Sequence, residues 1–286
     1  MNYIKTALSG GVWFVGVPIG TARDITLRAL DVLAAADVLV AEDTRSLRKL
    51  MDIHGVPLAG RRIEALHEHS SDAVIARLLA RAARGHSVAY ASEAGMPLIA
   101  DPGFELARAA RAQGVPVTCA PGPSAVLTAL VVGGLPTDAF HFAGFLPNAR
   151  SARQTALRTL AQVQATLVLY ESPKRLGALL KDAAEILGPD RPATVCRELT
   201  KKFEETRQGR LQDLADQYAT QSVKGEIVVL IGRAAEEAVS DLVIESALSK
   251  ALETMSVKDA AAFVAESFGV PKRQVYQQAL ARDRDD

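Results

Sequence analysis

From Gly11 to Ala120 the chain alternates short runs rich in β-branched and aromatic residues with segments of helical periodicity, and glycine closes most of the helical segments. Strands are expected at Val12–Val17, Val38–Glu42, Ile63–Leu66, Ser87–Ser92 and Val115–Ala120. Helices are expected at about Thr26–Ala36, Arg45–Ile53, Asp72–Arg84 and Phe104–Gln113, with Gly55, Gly85 and Gly114 supplying the left-handed residue that commonly ends a helix. Alternation of this kind predicts a mostly parallel α/β sheet. Pro121-Gly122-Pro123-Ser124 is the strongest punctuation in the chain, so the first α/β domain is drawn at 1–121. A second domain follows at 122–234. Its strands fall near Phe140–Phe145, Thr166–Tyr170, Thr194–Arg197 and Glu226–Ile231, its helices near Ala152–Gln162, Arg175–Leu187 and Leu211–Ala219. Glu204–Arg210 is a candidate hairpin arm, and the choice between α/β and α+β stays open for this part. The remainder, 235–286, is helical. There, a helix from Val257, a turn at Gly269 and a basic helix headed by Pro271-Lys272-Arg273 outline either a helix-turn-helix or a small helical cap.

Composition narrows the class of protein. Of 286 residues, 49% are apolar and 23% charged, as in an ordinary globular chain. The two cysteines, Cys119 and Cys196, are far apart and fit neither a disulfide framework nor a metal spacing, which points to a reducing cytoplasm. No apolar run approaches the roughly 20 residues of a membrane span. Lys5 followed by Gly11–Val17 faintly imitates a signal peptide, but without an Ala-x-Ala site it reads as the first strand. A formal net charge of +0 argues against a nucleic-acid footprint spread over the whole surface.

Ligands of open parallel sheets bind beyond the carboxyl ends of the strands. The segments there are Pro18–Asp24, Glu42–Arg45, His67–Ser70, Glu93–Gly103, Pro121–Ser124, Glu171–Arg175 and Arg197–Lys202. They would put Arg45, Arg48, Lys49, Lys174, Arg175, Arg197, Lys201 and Lys202 on one rim, a locally basic face suited to an anionic polymer. A P-loop, a G-x-G-x-x-G fingerprint and a G-x-S-x-G elbow are all missing. His67 and His69 alternate across an extended run without further ligands, so no metal is expected. The segment Glu93-Ala94-Gly95-Met96-Pro97-Leu98-Ile99-Ala100-Asp101-Pro102-Gly103 is too long for a plain strand-to-helix connection. Its glycines permit close backbone approach and its prolines pre-order the chain. Apolar walls beside two carboxylates suit a cationic ligand with a flat ring, such as S-adenosylmethionine, and repel a phosphate.

These motifs, in this order, resemble a known family. Val15-Gly16-Val17-Pro18-Ile19-Gly20 through Thr26, Glu42-Asp43-Thr44-Arg45, His67-Glu68-His69, the acidic loop, Pro121–Ala125, Tyr170-Glu171-Ser172-Pro173-Lys174-Arg175, Arg197–Lys201, Lys224-Gly225-Glu226 and the tail through Lys272 and Tyr276 are similar to the small-subunit rRNA methyltransferase I family of the tetrapyrrole-methylase-like superfamily. The resemblance spans nearly the whole chain. It implies two α/β domains with a cofactor cleft between them and a helical C-terminal region. It also implies methyl transfer from S-adenosylmethionine to the ribose 2′-oxygen of a cytidine in 16S rRNA of the 30S subunit, by a cytoplasmic homodimer without metal or membrane attachment. Cofactor contacts are then expected from Pro18, Gly20, Glu93, Ala94, Gly95, Met96, Leu98, Asp101, Pro121, Gly122, Ser124, Ala125, Tyr170 and Glu226. RNA contacts are expected from Arg23, Arg45, Lys174, Arg175, Arg197, Lys201, Lys272 and Arg273. A ribose hydroxyl is a poor nucleophile and gains from a base, for which Glu42, Asp43, His67, Glu171 and Glu198 are the candidates. Thr21, Glu93, Met96 and Ala100 stand where the family usually has Asn, Asp, Thr and Ser, and Met96 removes a hydroxyl hydrogen bond. The competing readings are a tetrapyrrole-precursor methyltransferase and a non-enzymatic nucleic-acid-binding regulator.

Overall fold

The computed structural model describes residues 3–67, 71–234 and 241–282. Chain contacts divide it after Ala234 into a large unit and a small C-terminal one. The large unit begins with β1 (Gly11–Val15), α1 (Leu27–Ala35), β2 (Val38–Ala41), α2 (Thr44–Ile53), β3 (Ile63–Ala65), α3 (Asp72–Ala83), β4 (Ser87–Ala91), α4 (Phe104–Ala112) and β5 (Val117–Ala120). These strands form one wholly parallel sheet in the order β3-β2-β4-β1-β5. β2 and β4 are buried along their full length, as the near-continuous apolar runs of a two-sided parallel sheet require. Core clusters cover both faces, one built on Leu30, Leu33, Leu39 and Met51, the other on Leu78, Leu79, Val88, Tyr90 and Leu106.

Helix starts follow local chemistry. Thr26 accepts a hydrogen bond from Ala29 N–H at the head of α1, and Asp43 accepts from Arg45 and Ser46 N–H at the head of α2. The parallel order brings the loops that leave β1 and β4 side by side. Val17 and Gly95 exchange backbone hydrogen bonds of 2.9 and 3.1 Å there, and Gly95 sits at φ 71°.

The chain then passes through Pro121–Ser124 into α5 (Ala125–Val132), β6 (Phe140–Phe145), α6 (Arg150–Leu160), β7 (Thr166–Glu171), α7 (Leu176–Leu187), β8 (Pro192–Arg197), β9 (Glu205–Arg210), α8 (Leu211–Thr220) and β10 (Ile227–Ile231). The second sheet has the order β6-β7-β10-β8-β9. Only β6 and β7 run parallel and the other pairs are antiparallel, which resolves the open choice in favour of a mixed sheet. The expected hairpin arm is β9, paired with β8 along its length. Helices α6, α7 and α8 cover one face through Leu157, Leu179, Leu180, Leu211 and Leu214. Helix α5 covers part of the other with Val126, Ala129 and Leu130 against Val168, Val228 and Leu230. The sequence reading assigns no element to Ala125–Val132, because its β-branched, all-apolar run carries no helical periodicity. Ser124, whose hydroxyl caps the helix, is the signal it passed over.

The small unit packs α9 (Asp241–Leu252), α10 (Val257–Phe268) and α11 (Lys272–Arg282) around Ile244, Leu248, Val264, Val275 and Ala279. Ser256 caps α10 and Gly269, at φ 64°, ends it, giving the helix-turn-helix outline expected of this segment. No helix among the described residues is long and apolar enough to cross a membrane.

Candidate active site

A cavity of about 360 Å³ lies within the large unit, walled by loops of the first sheet and by strands of the second. From the first come Ile19, Ala94, Gly95, Met96, Ile99, Ala100 and Asp101, joined by Ser124 and Ala125 at the head of α5. From the second come Phe145, Tyr170, Cys196, Gly225, Glu226 and Val228, with Leu199. Tyr170, Val228 and Cys196 form one row across β7, β10 and β8.

Close backbone packing sets these walls. A Cβ on Gly16 would meet Gly122 Cα at 2.7 Å and Met96 Sδ at 2.8 Å, so the ends of β1 and β5 meet only because both residues are glycine. Met96 Sδ accepts a hydrogen bond from Gly122 N–H at 3.2 Å. A thioether is a weak acceptor, yet it fills the place where the resemblance implied the loss of one. Thr21 N–H donates to Thr200 Oγ1 at 3.2 Å, joining the loop after β1 to the loop after β8. Four non-glycine residues here adopt left-handed backbone: Leu98 and Ala100 in the loop after β4, Glu198 and Thr200 in the loop after β8, at φ 73°, 61°, 51° and 62°.

Electrostatically the cavity is acidic. Burial pushes the Asp101 carboxyl up to about 7; Glu42, Glu93 and Glu226 add to the rise, and a hydrogen bond from Ser92 opposes it. Burial, together with Asp101 and Glu226, also raises the Tyr170 hydroxyl, to about 12. At the mouth, Lys201 Nζ bridges Glu198 Oε1 at 3.0 Å and Glu226 Oε2 at 2.9 Å. Burial disfavours the charged ammonium, but these two hydrogen bonds outweigh it and hold Lys201 above the ordinary lysine range.

The structure sorts the expected residues. Ala94, Gly95, Met96, Asp101, Ser124, Ala125, Tyr170 and Glu226 line the cavity. Pro18, Gly20 and Glu93 line a smaller pocket of about 230 Å³ against α2. Leu98 packs on the core of the first sheet, while Pro121 and Gly122 contribute backbone, the Pro121 carbonyl accepting from Thr26 Oγ1.

Among the candidate bases, Glu42 lies close enough to raise the Asp101 pKa, and its Oε2 accepts from Glu93 N–H. Asp43 caps α2, and the backbone donors of Arg45 and Ser46 lower its pKa. Glu171 has no exposed side-chain surface, and Arg175 stands 3.2 Å away; burial raises its pKa. Glu198 is lowered first by the Glu226 backbone N–H and then by Lys201. His67 is exposed just past β3 on the edge of the first sheet, and Glu68 and His69 lie outside the described residues.

The basic rim is heavily paired. Arg175 donates to the Leu146 and Pro147 carbonyls and to Asn148, so its guanidinium clamps the loop after β6. Arg197 pairs with Glu205 at 3.0 Å and Arg48 with Asp52 at 2.9 Å. Arg23, Lys174, Lys272 and Arg273 are exposed; Arg45 is exposed but pairs with Asp43 at 3.3 Å. Among the described residues no group of three His, Cys, Asp or Glu side chains is placed to hold a metal.

Paired sheets around such a cavity define a class. The model of the Tetrapyrrole (Corrin/Porphyrin) Methylases matches residues 11–215. The solved structure of uroporphyrin-III-C-methyltransferase from Thermus thermophilus superposes with a TM-score of 0.56 at 27% identity, over 79% of this chain and 95% of that one. Another structure of that Thermus enzyme, complexed with S-adenyl homocysteine, gives 0.54 at 22% identity over 78% and 97%. The chain is thus a methyltransferase of tetrapyrrole methylase architecture. It belongs, more narrowly, to the ribosomal RNA small subunit methyltransferase I family. A member from Mesorhizobium japonicum is 45% identical over 96% of this chain and 92% of its own length, and the RsmI C-terminal HTH domain model matches residues 237–283.

Ile19, Leu199 and Gly225 stand in the quoted motifs without an assigned contact, and Phe145, Cys196 and Val228 read only as strand residues. Phe145 is the one that left a trace, an aromatic beside the strand-breaking Gly144.

Proposed function

We propose that this chain transfers a methyl group from S-adenosylmethionine to the ribose 2′-oxygen of a cytidine in 16S rRNA. The observation that carries the reading is the cavity itself: largely apolar, bordered by glycine-permitted backbone at Gly95, and acidic at Asp101 and Glu226. Those residues fit the cofactor. Glu226 complements its cationic groups, apolar walls take its adenine, and the volume lies within the range of small-molecule sites. The rRNA substrate is supported by the names of the relatives.

S-adenosylmethionine supplies an already electrophilic methyl group, so the chain's task is to align the acceptor and remove its proton. We assign that proton to the Asp101 carboxylate. Its pKa of about 7 matches the working pH, where a general base is most effective. Glu42, on the neighbouring loop, sustains that pKa by repulsion. Glu198 is committed to Lys201 and Asp43 to the head of α2, while Glu171 lines the cavity with one oxygen paired to Arg175 and no exposed side-chain surface. Ile19, Met96 and Leu199 exclude water from the reacting atoms. Exposed Arg23, Arg45 and Lys174, and Lys272 and Arg273 of the small unit, are the candidate phosphate contacts. We place the enzyme in the cytoplasm as a homodimer acting on the 30S subunit.

The test supplies methyl-labelled cofactor to naked 16S rRNA, 30S subunits and tetrapyrrole precursors, followed by nuclease digestion. Label in 2′-O-methylcytidine is expected. Label on a base, or on the tetrapyrrole alone, would overturn the reading.

A further inference from the structure

Phe145 is a large apolar side chain left 57% exposed on the wall of the cavity. Its position there is the product of an irregularity in β6. Phe140, His141 and Phe142 pair in step with Thr166, Leu167 and Val168, after which Ala143 is skipped and Gly144 and Phe145 pair with Leu169 and Tyr170. Side chains alternate faces along a strand, so without the skipped residue Gly144 would oppose Tyr170 and Phe145 would point to the helix-covered face. The bulge turns Phe145 onto the same face as Tyr170 and Val168. Gly144 absorbs the distortion at φ 62°, a conformation costly for other residues. Bulges that re-aim one side chain are a recurrent device beside active sites.

The ring is also fixed in place. Tyr170 sits between two aromatic edges, Phe142 at 5.0 Å and Phe145 at 5.6 Å between centroids, with interplanar angles of 69° and 66°. A small cofactor bound in a cavity is largely enclosed, whereas Phe145 stands at the solvent side. What it offers is a flat, rigid, apolar face toward a larger substrate. A chain with no net charge and a largely paired basic rim gains from a grip on RNA beyond its few exposed phosphate contacts. Base stacking on an aromatic ring supplies that grip for any nucleobase.

We propose that Phe145 stacks on the nucleobase of the nucleotide whose ribose is methylated, holding it out of its RNA stack while the sugar reaches Asp101. This rests on the reading of the chain as an rRNA 2′-O-methyltransferase. The experiment compares wild type with Phe145→Leu, Phe145→Trp and Gly144→Ala in the full-length protein. It measures cofactor affinity by calorimetry, 16S rRNA affinity by filter binding, and methyl transfer.

Phe145→Leu is expected to weaken RNA binding and raise the KM for RNA roughly tenfold, with cofactor affinity unchanged. Phe145→Trp should restore both, and Gly144→Ala should reproduce the defect with Phe145 still present. RNA affinity equal to wild type in Phe145→Leu overturns the proposal, as does loss of cofactor affinity in step with activity, which would assign the ring to the cofactor. Should wild type transfer no methyl to RNA, the functional reading fails on its own. The RNA affinities of Phe145→Leu and Phe145→Trp then still decide whether the ring stacks.

Discussion

The first sheet meets the cavity end-on, through the loops that leave its parallel strands, while the second meets it side-on, through one face of a mixed sheet. Loops contribute backbone, turns and carboxylates, as Gly95, Met96 and Asp101 do. A sheet face contributes alternate side chains across neighbouring strands, as the row Tyr170, Val228 and Cys196 does. One half therefore supplies backbone and polarity, and the other, apart from Glu226 just before β10, a floor and an aromatic wall. The two halves of the site fail differently when changed.

The largest expected effect is in the first half. Asp101→Asn should lower methyl transfer by about 10²–10⁴-fold, the usual contribution of a general base, with cofactor affinity changing far less. Equal losses in both would move Asp101 from proton acceptor to cofactor ligand. In wild type the rate should rise with pH and level off above about 7, following the ionisation of Asp101.

In the second half, Arg175→Met should cost about 3 kcal/mol of stability, since it strands the buried Glu171 and frees the loop after β6. Thermal or denaturant unfolding measures this. A normal RNA KM for the folded protein would confirm that the guanidinium works inside the fold. Gly16→Ala places a methyl group against Gly122 and should cost about 1–3 kcal/mol in the same assay, with weakened cofactor binding, because the ends of β1 and β5 must part.

The smallest effect sharpens the electrostatics. Native Asp101 keeps its proton up to about pH 7, whereas an unfolded aspartate loses it near pH 4. The native state therefore holds the extra proton between those values. The stability this contributes is fully present below about pH 4 and is lost as pH rises through 7. Solvent reaching this partly buried carboxylate screens the difference to on the order of 1 kcal/mol, so Asp101→Asn, with no charge to bury, should melt about 2–4 °C above wild type at pH 8 and match it near pH 4.

The same contrast explains what the sequence could tell. Strand-end loops need glycine, proline and capping residues, so the segment Glu93–Gly103 and the head of α5 announce themselves in the text of the chain. Family resemblance added order to these motifs. A sheet face leaves no such mark: Cys196 and Val228 read as core because they are core on every side but one. Whether a basic residue is spent inside the fold also depends on tertiary partners. Arg175 and Lys174 are neighbours with the same charge, yet one clamps a loop and the other is exposed. Helix α5 is silent in the sequence because apolar residues all round give no period to read, and the raised pKa of Asp101 is silent because burial and three neighbouring carboxylates, not residue type, set it.

Leu98, Ala100, Glu198 and Thr200 hold left-handed backbone in the loops after β4 and β8. Each such residue costs on the order of 1 kcal/mol or more, and the fold bears that cost permanently. A search for heat-resistant variants would therefore be drawn to these positions, where glycine or asparagine relieves the strain. It would return proteins that melt later and hold the two loops less firmly. In this chain, the easiest gains in thermostability lie where they most endanger catalysis.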